Sequence, residues 1–229
     1  MANEPEVLKI QASANDSVTG LLYQAAKSKR LRITLILGHG AGADQLSGFM
    51  RMYAQGLAER GFDVLTFNFI YKEQRRSAPD QKAKLEACYQ AVIEAARAER
   101  KLKGNQVVIG GKSMGGRIGS QVAAAGAGEL LGLVFLGYPL HPPGKPEQLR
   151  SAHLKDIRAP LLFVQGSRDA FGNADEIRNT IREGKLKATL YLIEGGDHSF
   201  KAPKSAGLSP SEIHEAVMDE IARWAKEIA

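Results

Sequence analysis

The sequence predicts an α/β protein with a doubly wound, mostly parallel sheet and helices on both faces. Two observations indicate this class. Short apolar runs of strand length alternate along the chain with longer segments whose apolar residues recur at helical spacing. In addition, residues 31–37 (LRITLIL) are apolar almost throughout, which is typical of a strand buried on both faces. Alternating strands and helices of this length form parallel sheets that are covered by helices.

Local signals place the individual elements. Residues 15–17 (NDS) separate two short opening strands, and Gly61 lies where a glycine commonly ends a helix. The last helix begins at Ser209, with Pro210 at its first position. The predicted strands cover residues 7–12, 20–24, 31–37, 63–69, 106–109, 131–136, 160–165 and 188–193. The predicted helices cover residues 46–60, 79–103, 114–127, 174–183 and 209–228.

Length and composition indicate one globular domain over residues 1–229. The chain is 44% hydrophobic and 24% charged, which is ordinary for a globular protein. No apolar run approaches the roughly 18 residues that a membrane-spanning helix needs. The start, MANEPEVLKI, carries acidic residues where a signal peptide would be basic, and no long apolar segment follows. We therefore expect a cytoplasmic protein with no membrane partner.

The net charge of +6 raises the alternative of nucleic-acid binding. The basic residues are scattered, however, mostly at predicted turns and helix ends. No aromatic residues alternate with them, as a surface for stacking bases would require. The pattern favours an ordinary solvated basic face and no nucleic-acid partner.

The single cysteine, Cys88, excludes an intramolecular disulfide and a cysteine-cluster metal site. It lies among apolar residues at helical spacing, which favours core packing, with a thiol nucleophile as the weaker alternative. The chain has neither a histidine-rich cluster nor suitably spaced carboxylates. We expect no metal and no other cofactor.

Residues 110–119 (GGKSMGGRIG) follow a predicted strand and allow two interpretations. A phosphate-binding loop of the Walker type needs a glycine five residues before Gly111, but Gln106 occupies that position. The second interpretation is a strand-to-helix turn that presents a nucleophilic serine. Gly111 and Gly115 flank Ser113 with the spacing Gly-x-Ser-x-Gly, and small residues are needed there because the strained backbone packs closely. The sequence favours Ser113 as a nucleophile.

A serine nucleophile needs a base and an acid that orients the base. In hydrolases with this turn the chain order is serine, acid, histidine. His198 follows a predicted strand directly, whereas His153 and His214 are expected at the surface. His141 lies in the proline-rich residues 138–146, where it is a candidate for lining the cleft.

Asp169 is the favoured acid because it follows the predicted strand 160–165. This places its carboxylate at the carboxyl edge of the sheet, with Ser113 and His198, where open parallel sheets bind ligands. Asp197 is a rival, but a residue adjacent to His198 cannot readily turn back to hold the ring of its neighbour.

The oxyanion of a tetrahedral intermediate needs backbone donors. One candidate is the N–H of Met114, and the other is the N–H of Ala41, with Gly42 next, in the loop GHGAGA after strand 31–37. This loop also satisfies a dinucleotide-binding pattern, but the next strand runs into Asn68 and lacks the acidic residue that such a site needs. We expect His39 to brace the loop.

These segments together resemble the alpha/beta-hydrolase superfamily over nearly the whole chain, and more closely a group of small predicted hydrolases related to dienelactone hydrolases. The resemblance implies an alpha/beta-hydrolase fold in which Ser113, Asp169 and His198 are nucleophile, acid and base. Dienelactone hydrolases have cysteine as nucleophile, so their substrate is not implied. The segments are residues 37–42 (LGHGAG), 67–71 (FNFIY), 110–117 (GGKSMGGR), 136–146 (LGYPLHPPGKP), 165–169 (QGSRD) and 196–200 (GDHSF).

The predicted function is hydrolysis of a small carboxylic ester or thioester through an acyl-enzyme. Only residues 137–159 separate two predicted strands where a cap usually lies, which indicates a shallow, open site with a minimal cap. The further candidates for substrate contact are Tyr71, Tyr138, His141 and Arg76. The alternative is a non-catalytic binding or scaffold domain, for which the proline-rich loop and the basic surface speak. Basic residues near the rim also suggest an anionic acyl group, although exposed arginine and lysine are the ordinary surface.

Overall fold

The computed structural model describes residues 4–203 and 207–229 and contains one eight-stranded sheet with the order β1-β2-β4-β3-β5-β6-β7-β8. The strands are β1 (Glu6–Gln11), β2 (Ser17–Tyr23), β3 (Ile33–Gly38), β4 (Asp63–Phe67), β5 (Gln106–Lys112), β6 (Gly132–Leu136), β7 (Leu161–Gly166) and β8 (Ala188–Ile193). The helices are α1 (Gly48–Glu59), α2 (Ile70–Glu73), α3 (Lys82–Ala98), α4 (Met114–Ala124), α5 (Ala174–Glu183) and α6 (Pro210–Ile228).

The sheet is mostly parallel, which confirms the predicted fold class. The opening hairpin of β1 and β2 is antiparallel, and β2 pairs antiparallel with β4. All remaining pairs from β4 through β8 are parallel, so their carboxyl ends share one edge. None of the helices in the described part of the chain is both long and apolar enough to cross a membrane.

Helices cover both faces of the sheet. Helices α1 and α6 pack with one face, around residues such as Tyr53 and Trp224. Helices α3, α4 and α5 pack on the other face, around Cys88, Tyr89 and Ile118. Cys88 is fully buried, as predicted, and burial raises the pKa of its thiol to about 12, so it carries no thiolate at neutral pH.

Several predicted boundaries need correction: β2 begins three residues before its predicted start, and α4 ends three residues before its predicted end. Strand β4 ends two residues early, because Phe69 already precedes helix α2 and the Asn68 side chain accepts the N–H of Gln45 at 3.0 Å. The predicted helix 79–103 is the shorter α3, which ends where Glu99 is extended and caps a separate 3-10 turn. Strand β5 continues three residues beyond its predicted end, because its two glycines pair with β3 and β6.

Gly110→Ala is expected to destabilise the fold by about 3 kcal/mol or more. A Cβ at Gly110 would lie 1.9 Å from the carbonyl oxygen of Val134, so that strands β5 and β6 would have to separate. Gly48→Ala is the matched control, because no atom lies within 4 Å of the added Cβ. Urea denaturation is the measurement, and equal midpoints for the two variants would contradict this packing.

Candidate active site

Ser113 lies at the turn between β5 and α4. Its backbone has φ 50° and ψ −112°, a conformation that residues other than glycine rarely adopt. The turn is held by the Ser113 N–H, which donates to the carbonyl of Leu136 at 3.1 Å, and by the Ser113 carbonyl, which accepts from the Arg117 N–H at 3.0 Å. A strained serine between a strand and a helix is the local geometry that presents a nucleophile.

The two glycines that flank Ser113 let the turn contact strand β3. A Cβ at Gly111, where φ is 145°, would lie 2.1 Å from the carbonyl oxygen of Gly38. A Cβ at Gly115 would also lie 2.1 Å from that oxygen. The Gly-x-Ser-x-Gly spacing therefore has a steric cause, since the end of β3 passes directly against both positions.

Ser113, His198 and Asp169 form one hydrogen-bonded chain at the carboxyl edge of the sheet. The Nδ1 of His198 lies 2.7 Å from Asp169 Oδ2, and its Nε2 lies 2.8 Å from Ser113 Oγ. A carboxylate can only accept, so Nδ1 carries the proton and Nε2 accepts from the serine hydroxyl. The structure thus brings the three predicted side chains within hydrogen-bonding distance of one another.

The Asp169 carboxylate is fully buried and has a hydrogen-bond donor on each oxygen. Besides the imidazole, Oδ2 accepts from Gln165 Nε2 at 2.8 Å. Oδ1 accepts from the backbone N–H of Phe171 at 2.8 Å. Because a buried charge is tolerated only with such partners, this arrangement fixes the carboxylate facing His198.

Asp197, the rival acid, faces its own loop. Its Oδ1 accepts from the backbone N–H groups of Ser199 and Lys201 at 2.8 and 2.9 Å. These bonds shape the turn that carries His198. The structure therefore separates the two acids, with Asp169 on the imidazole and Asp197 on the backbone.

His153 and His214 are half-buried, which corrects the expectation that they lie at the surface. His153 Nε2 lies 2.8 Å from the hydroxyl of Ser120, and burial lowers the pKa of His153 to about 4. His214 Nδ1 lies 3.0 Å from the hydroxyl of Tyr53, and burial lowers its pKa as well. The first contact joins a turn to helix α4 and the second joins α6 to α1, and both pairs are remote in sequence.

His39 braces the loop after β3, as expected. Its Nδ1 donates to the carbonyl of Gly40 at 2.8 Å, and its Nε2 accepts the Phe69 N–H at 3.2 Å. Burial lowers the pKa of His39 to about 4, so the ring is neutral at neutral pH. The hydroxyl of Tyr71 donates to the carbonyl of Ala41 at 2.8 Å and fixes the next residue of the loop.

Met114 and Ala41, the two predicted oxyanion donors, line the same cavity as Ser113. Among the described residues, neither backbone N–H donates to a protein acceptor. Two free donors therefore border the space in front of the serine. Gly42, the second candidate in the loop, also lines this cavity.

The cavity in front of Ser113 has a volume of about 540 Å³, within the range of small-molecule sites. Its wall includes His198, Phe171 and Pro139. The segment between β6 and β7 contains one 3-10 turn (Leu154–Asp156) and no α-helix, so the described chain has no cap domain there. A cavity of about 690 Å³ elsewhere on the surface contains none of the three hydrogen-bonded side chains.

The structure does not bring the four predicted substrate-contact residues to the cavity wall. Tyr71 and Tyr138 are buried, and their hydroxyls donate to backbone carbonyls. His141 is buried, with Nε2 lying 3.1 Å from Glu176 Oε1. Arg76 is exposed and pairs with Asp80, which does line the cavity. The polar atoms of these four side chains already have partners within the protein.

Four other residues at the site were not predicted. The ring of Phe171 lies 4.2 Å from the imidazole of His198, and Lys112 Nζ donates to the His198 carbonyl. Arg117 and Arg150 line the cavity. The sequence could have indicated Arg117, because this residue lies one helical turn after Ser113 on the same helix. The other contacts join residues that are remote in sequence and have no local signal.

The described residues contain no group of three or more His, Cys, Asp or Glu side chains arranged to hold a metal ion.

Comparisons with known proteins identify the family of the chain. The profile of a family described as "Alpha/beta hydrolase domain" matches residues 31–226. A dienelactone hydrolase from Anabaena variabilis has a similar structure, with a TM-score of 0.73 and 18% identity, covering 98% of this chain and 99% of that one. An alpha-beta serine hydrolase homologue from Coxiella burnetii has a TM-score of 0.73 and 17% identity, covering 100% and 99%.

A lidless a/b serine hydrolase from Xanthomonas campestris is also similar, with a TM-score of 0.71 and 19% identity, covering 98% of this chain and 96% of that one. At these identities the structural matches establish the shared fold, while the profile covers most of the chain. The resemblance seen in the sequence is thereby confirmed: the chain belongs to the alpha/beta-hydrolase family and is a hydrolase.

Proposed function

We propose that this hydrolase cleaves a small carboxylic ester or thioester through an acyl-enzyme intermediate. The observation that supports the proposal is the continuous hydrogen-bonded chain from Ser113 through His198 to the buried Asp169, with distances of 2.8 and 2.7 Å. A scaffold domain has no need for a strained serine that faces an oriented imidazole.

In the acylation step, Ser113 Oγ attacks the carbonyl carbon of the substrate and transfers its proton to His198 Nε2. Asp169 accepts from Nδ1 and stabilises the imidazolium that forms. The tetrahedral intermediate then collapses and the bond to the leaving group breaks. The departing alcohol or thiol takes the proton from Nε2, which leaves the acyl group on the serine.

Deacylation repeats these steps with water as the nucleophile. His198 Nε2 takes a proton from the water, whose oxygen attacks the acyl carbon. Collapse of the second intermediate breaks the bond to Ser113 Oγ, and the serine regains its proton from Nε2. The products are a carboxylic acid and the free enzyme, with no external oxidant or reductant.

The negative charge on the carbonyl oxygen needs donors during both steps. We assign this role to the N–H groups of Met114 and Ala41, because both border the cavity and lack protein acceptors. The bond from Tyr71 to the Ala41 carbonyl fixes the loop, so the donor does not have to be ordered during the reaction.

The kinetics of p-nitrophenyl acetate hydrolysis test the proposed acyl-enzyme. Rapid mixing should show a burst of about one p-nitrophenol per protein chain, followed by slower turnover, because acylation precedes deacylation. The same protein should also hydrolyse short acyl thioesters. If the folded protein hydrolyses neither class and instead retains a stoichiometric protein partner, the scaffold alternative is favoured.

Lys112→Met is expected to lower kcat/KM for a neutral ester. It should also abolish the decline of kcat/KM that we expect for the wild type at alkaline pH. Lys112 Nζ donates to the carbonyl of His198 and faces the rings of Phe49 and Phe200. Burial lowers the pKa of Lys112 to about 8, although the charge of Asp169 acts in the opposite direction. The side chain is therefore an ammonium below about pH 8 and loses its proton above it.

The neutral amine is the weaker donor, so the loop that holds His198 is less firmly fixed at alkaline pH. In the wild type, kcat/KM should fall about two- to fivefold between about pH 8 and 10 after subtraction of spontaneous hydrolysis. Rates from about pH 6 to 10 provide the measurement. An alkaline decline of equal size in Lys112→Met would show that another group titrates.

A further inference from the structure

Four cationic side chains line the cavity beside Ser113, and two of them already have partners in the protein. The four are Lys82, Lys112, Arg117 and Arg150. Lys82 pairs with Glu86 at 3.4 Å, and Lys112 donates to the backbone carbonyl of His198. The two arginines have no side-chain partner among the described residues.

The carboxylate that lines the cavity does not neutralise these arginines. Asp80 pairs with Arg76, and its Oδ2 accepts the backbone N–H of Tyr71 at 3.0 Å. Its negative charge is therefore directed away from the cavity's two arginines. The cavity wall has an excess of positive charge.

Arg117 and Arg150 lack an anionic partner, unlike the other half-buried arginines of the described chain. Arg30 pairs with the buried Asp63 at 3.1 Å, and Arg60 pairs with two carboxylates of helix α6, each at 2.7 Å. Neither Arg117 nor Arg150 has an ion pair or a side-chain hydrogen bond with another described residue, although both are half-buried. Half-buried guanidinium groups usually have an anionic partner, because removal from water is costly.

Among the neighbours of the two arginines, Glu86 is a carboxylate whose charge raises the pKa of Arg117, but it already pairs with Lys82 at 3.4 Å. Burial and the charge of Arg150 both lower the pKa of Arg117, as expected for two cations close to each other. Burial raises the pKa of Tyr138 to about 12, so its hydroxyl, which donates to the Arg150 carbonyl at 2.9 Å, stays neutral. Burial also holds His153 neutral at neutral pH.

We infer that Arg117 and Arg150 form a subsite for an anionic group of the substrate, a carboxylate or a phosphate attached close to the scissile ester or thioester. Arg117 follows Ser113 by four residues on helix α4, a rise of about 6 Å, so one ligand can reach both side chains. The guanidinium group offers the forked donors that match a carboxylate or a phosphate. This inference rests on the proposed function and specifies its substrate class.

Matched pairs of esters test the subsite and show which half of the substrate bears the anion. For the acyl side, p-nitrophenyl hemiglutarate is compared with its neutral methyl ester. For the alcohol side, 4-carboxyphenyl acetate is compared with its neutral methyl ester. In at least one pair, kcat/KM should favour the anionic ester about tenfold or more, and the preference should shrink as ionic strength rises.

Arg117→Gln and Arg150→Gln should each lower the ratio of anionic to neutral kcat/KM about tenfold. Arg178→Gln is the matched control, because this exposed arginine lies on helix α5, away from the cavity, and should leave the ratio unchanged. A ratio near one in both pairs for the wild type would overturn the subsite. So would a ratio that neither cavity variant changes.

Two measurements distinguish failure of the subsite from failure of the proposed function. Hydrolysis of the neutral esters that depends on Ser113, without a preference for the anion, would overturn the subsite alone. Calorimetry on Ser113→Ala, which cannot turn over, compares monomethyl glutarate with dimethyl glutarate. Only the monoanion, monomethyl glutarate, should bind. Arg117→Gln in the same Ser113→Ala background should abolish this binding. Equal binding of both compounds would overturn the subsite even if no ester is hydrolysed.

Discussion

Ser113→Ala is expected to lower kcat for p-nitrophenyl acetate by about four to six orders of magnitude. The hydroxyl is the one group that lies 2.8 Å from His198 Nε2 and borders the cavity, so its loss leaves no atom to accept the acyl group. Residual hydrolysis would come from water activated by the imidazole and from the oxyanion donors. Initial rates at saturating substrate provide the measurement.

Ser28→Ala is the matched control for this variant, because Ser28 is exposed and lies in the 3-10 turn Lys27–Lys29. It should keep the wild-type rate. Alanine at position 113 has the same backbone preferences as serine there, so both variants should unfold at a similar temperature. Comparable turnover by Ser113→Ala and Ser28→Ala would show that the serine at the turn is not the nucleophile.

Asp169→Asn is expected to lower kcat by about three to four orders of magnitude. An asparagine amide presents a donor or a weaker, neutral acceptor to His198 Nδ1, which favours the wrong tautomer and removes the charge that stabilises the imidazolium. The new amide also faces Gln165 Nε2, a donor at 2.8 Å in the wild type. KM for a neutral ester should change little, because Asp169 does not line the cavity.

Asp175→Asn provides the comparison for this second variant. Asp175 is exposed on the first turn of α5, where it pairs with Arg178, and its replacement should leave kcat within about twofold. A fall in kcat of less than about tenfold for Asp169→Asn would indicate that the buried carboxylate has only a structural role.

The sequence could predict the position of the three central side chains because topology determines it. Ser113, Asp169 and His198 each follow a strand of the parallel set, and the carboxyl ends of parallel strands meet at one edge. The glycines beside the serine were predictable for a similar reason, since the close passage of Gly38 leaves no room for a Cβ at either flanking position. These features are properties of the fold and its local turns.

The walls of the cavity could not be predicted in the same way. Tyr71 lies at the start of the short helix α2, which the apolar pattern of the preceding strand conceals, and its hydroxyl turns toward the Ala41 carbonyl. Arg150 follows an irregular proline-rich segment, where no periodicity shows which side chains face the serine. Lys112 contacts a backbone carbonyl 86 residues away, a partner that has no signature in the sequence.

Peptide mapping after incubation with a fluorophosphonate tests the proposed nucleophile most directly. The reagent phosphonylates an activated serine and is displaced only slowly. We expect one adduct per chain, located on Ser113, and its loss in His198→Gln, because the hydroxyl then has no base. An adduct on a different residue, or an unmodified Ser113 in a protein that still hydrolyses esters, would show that Ser113 is not the nucleophile.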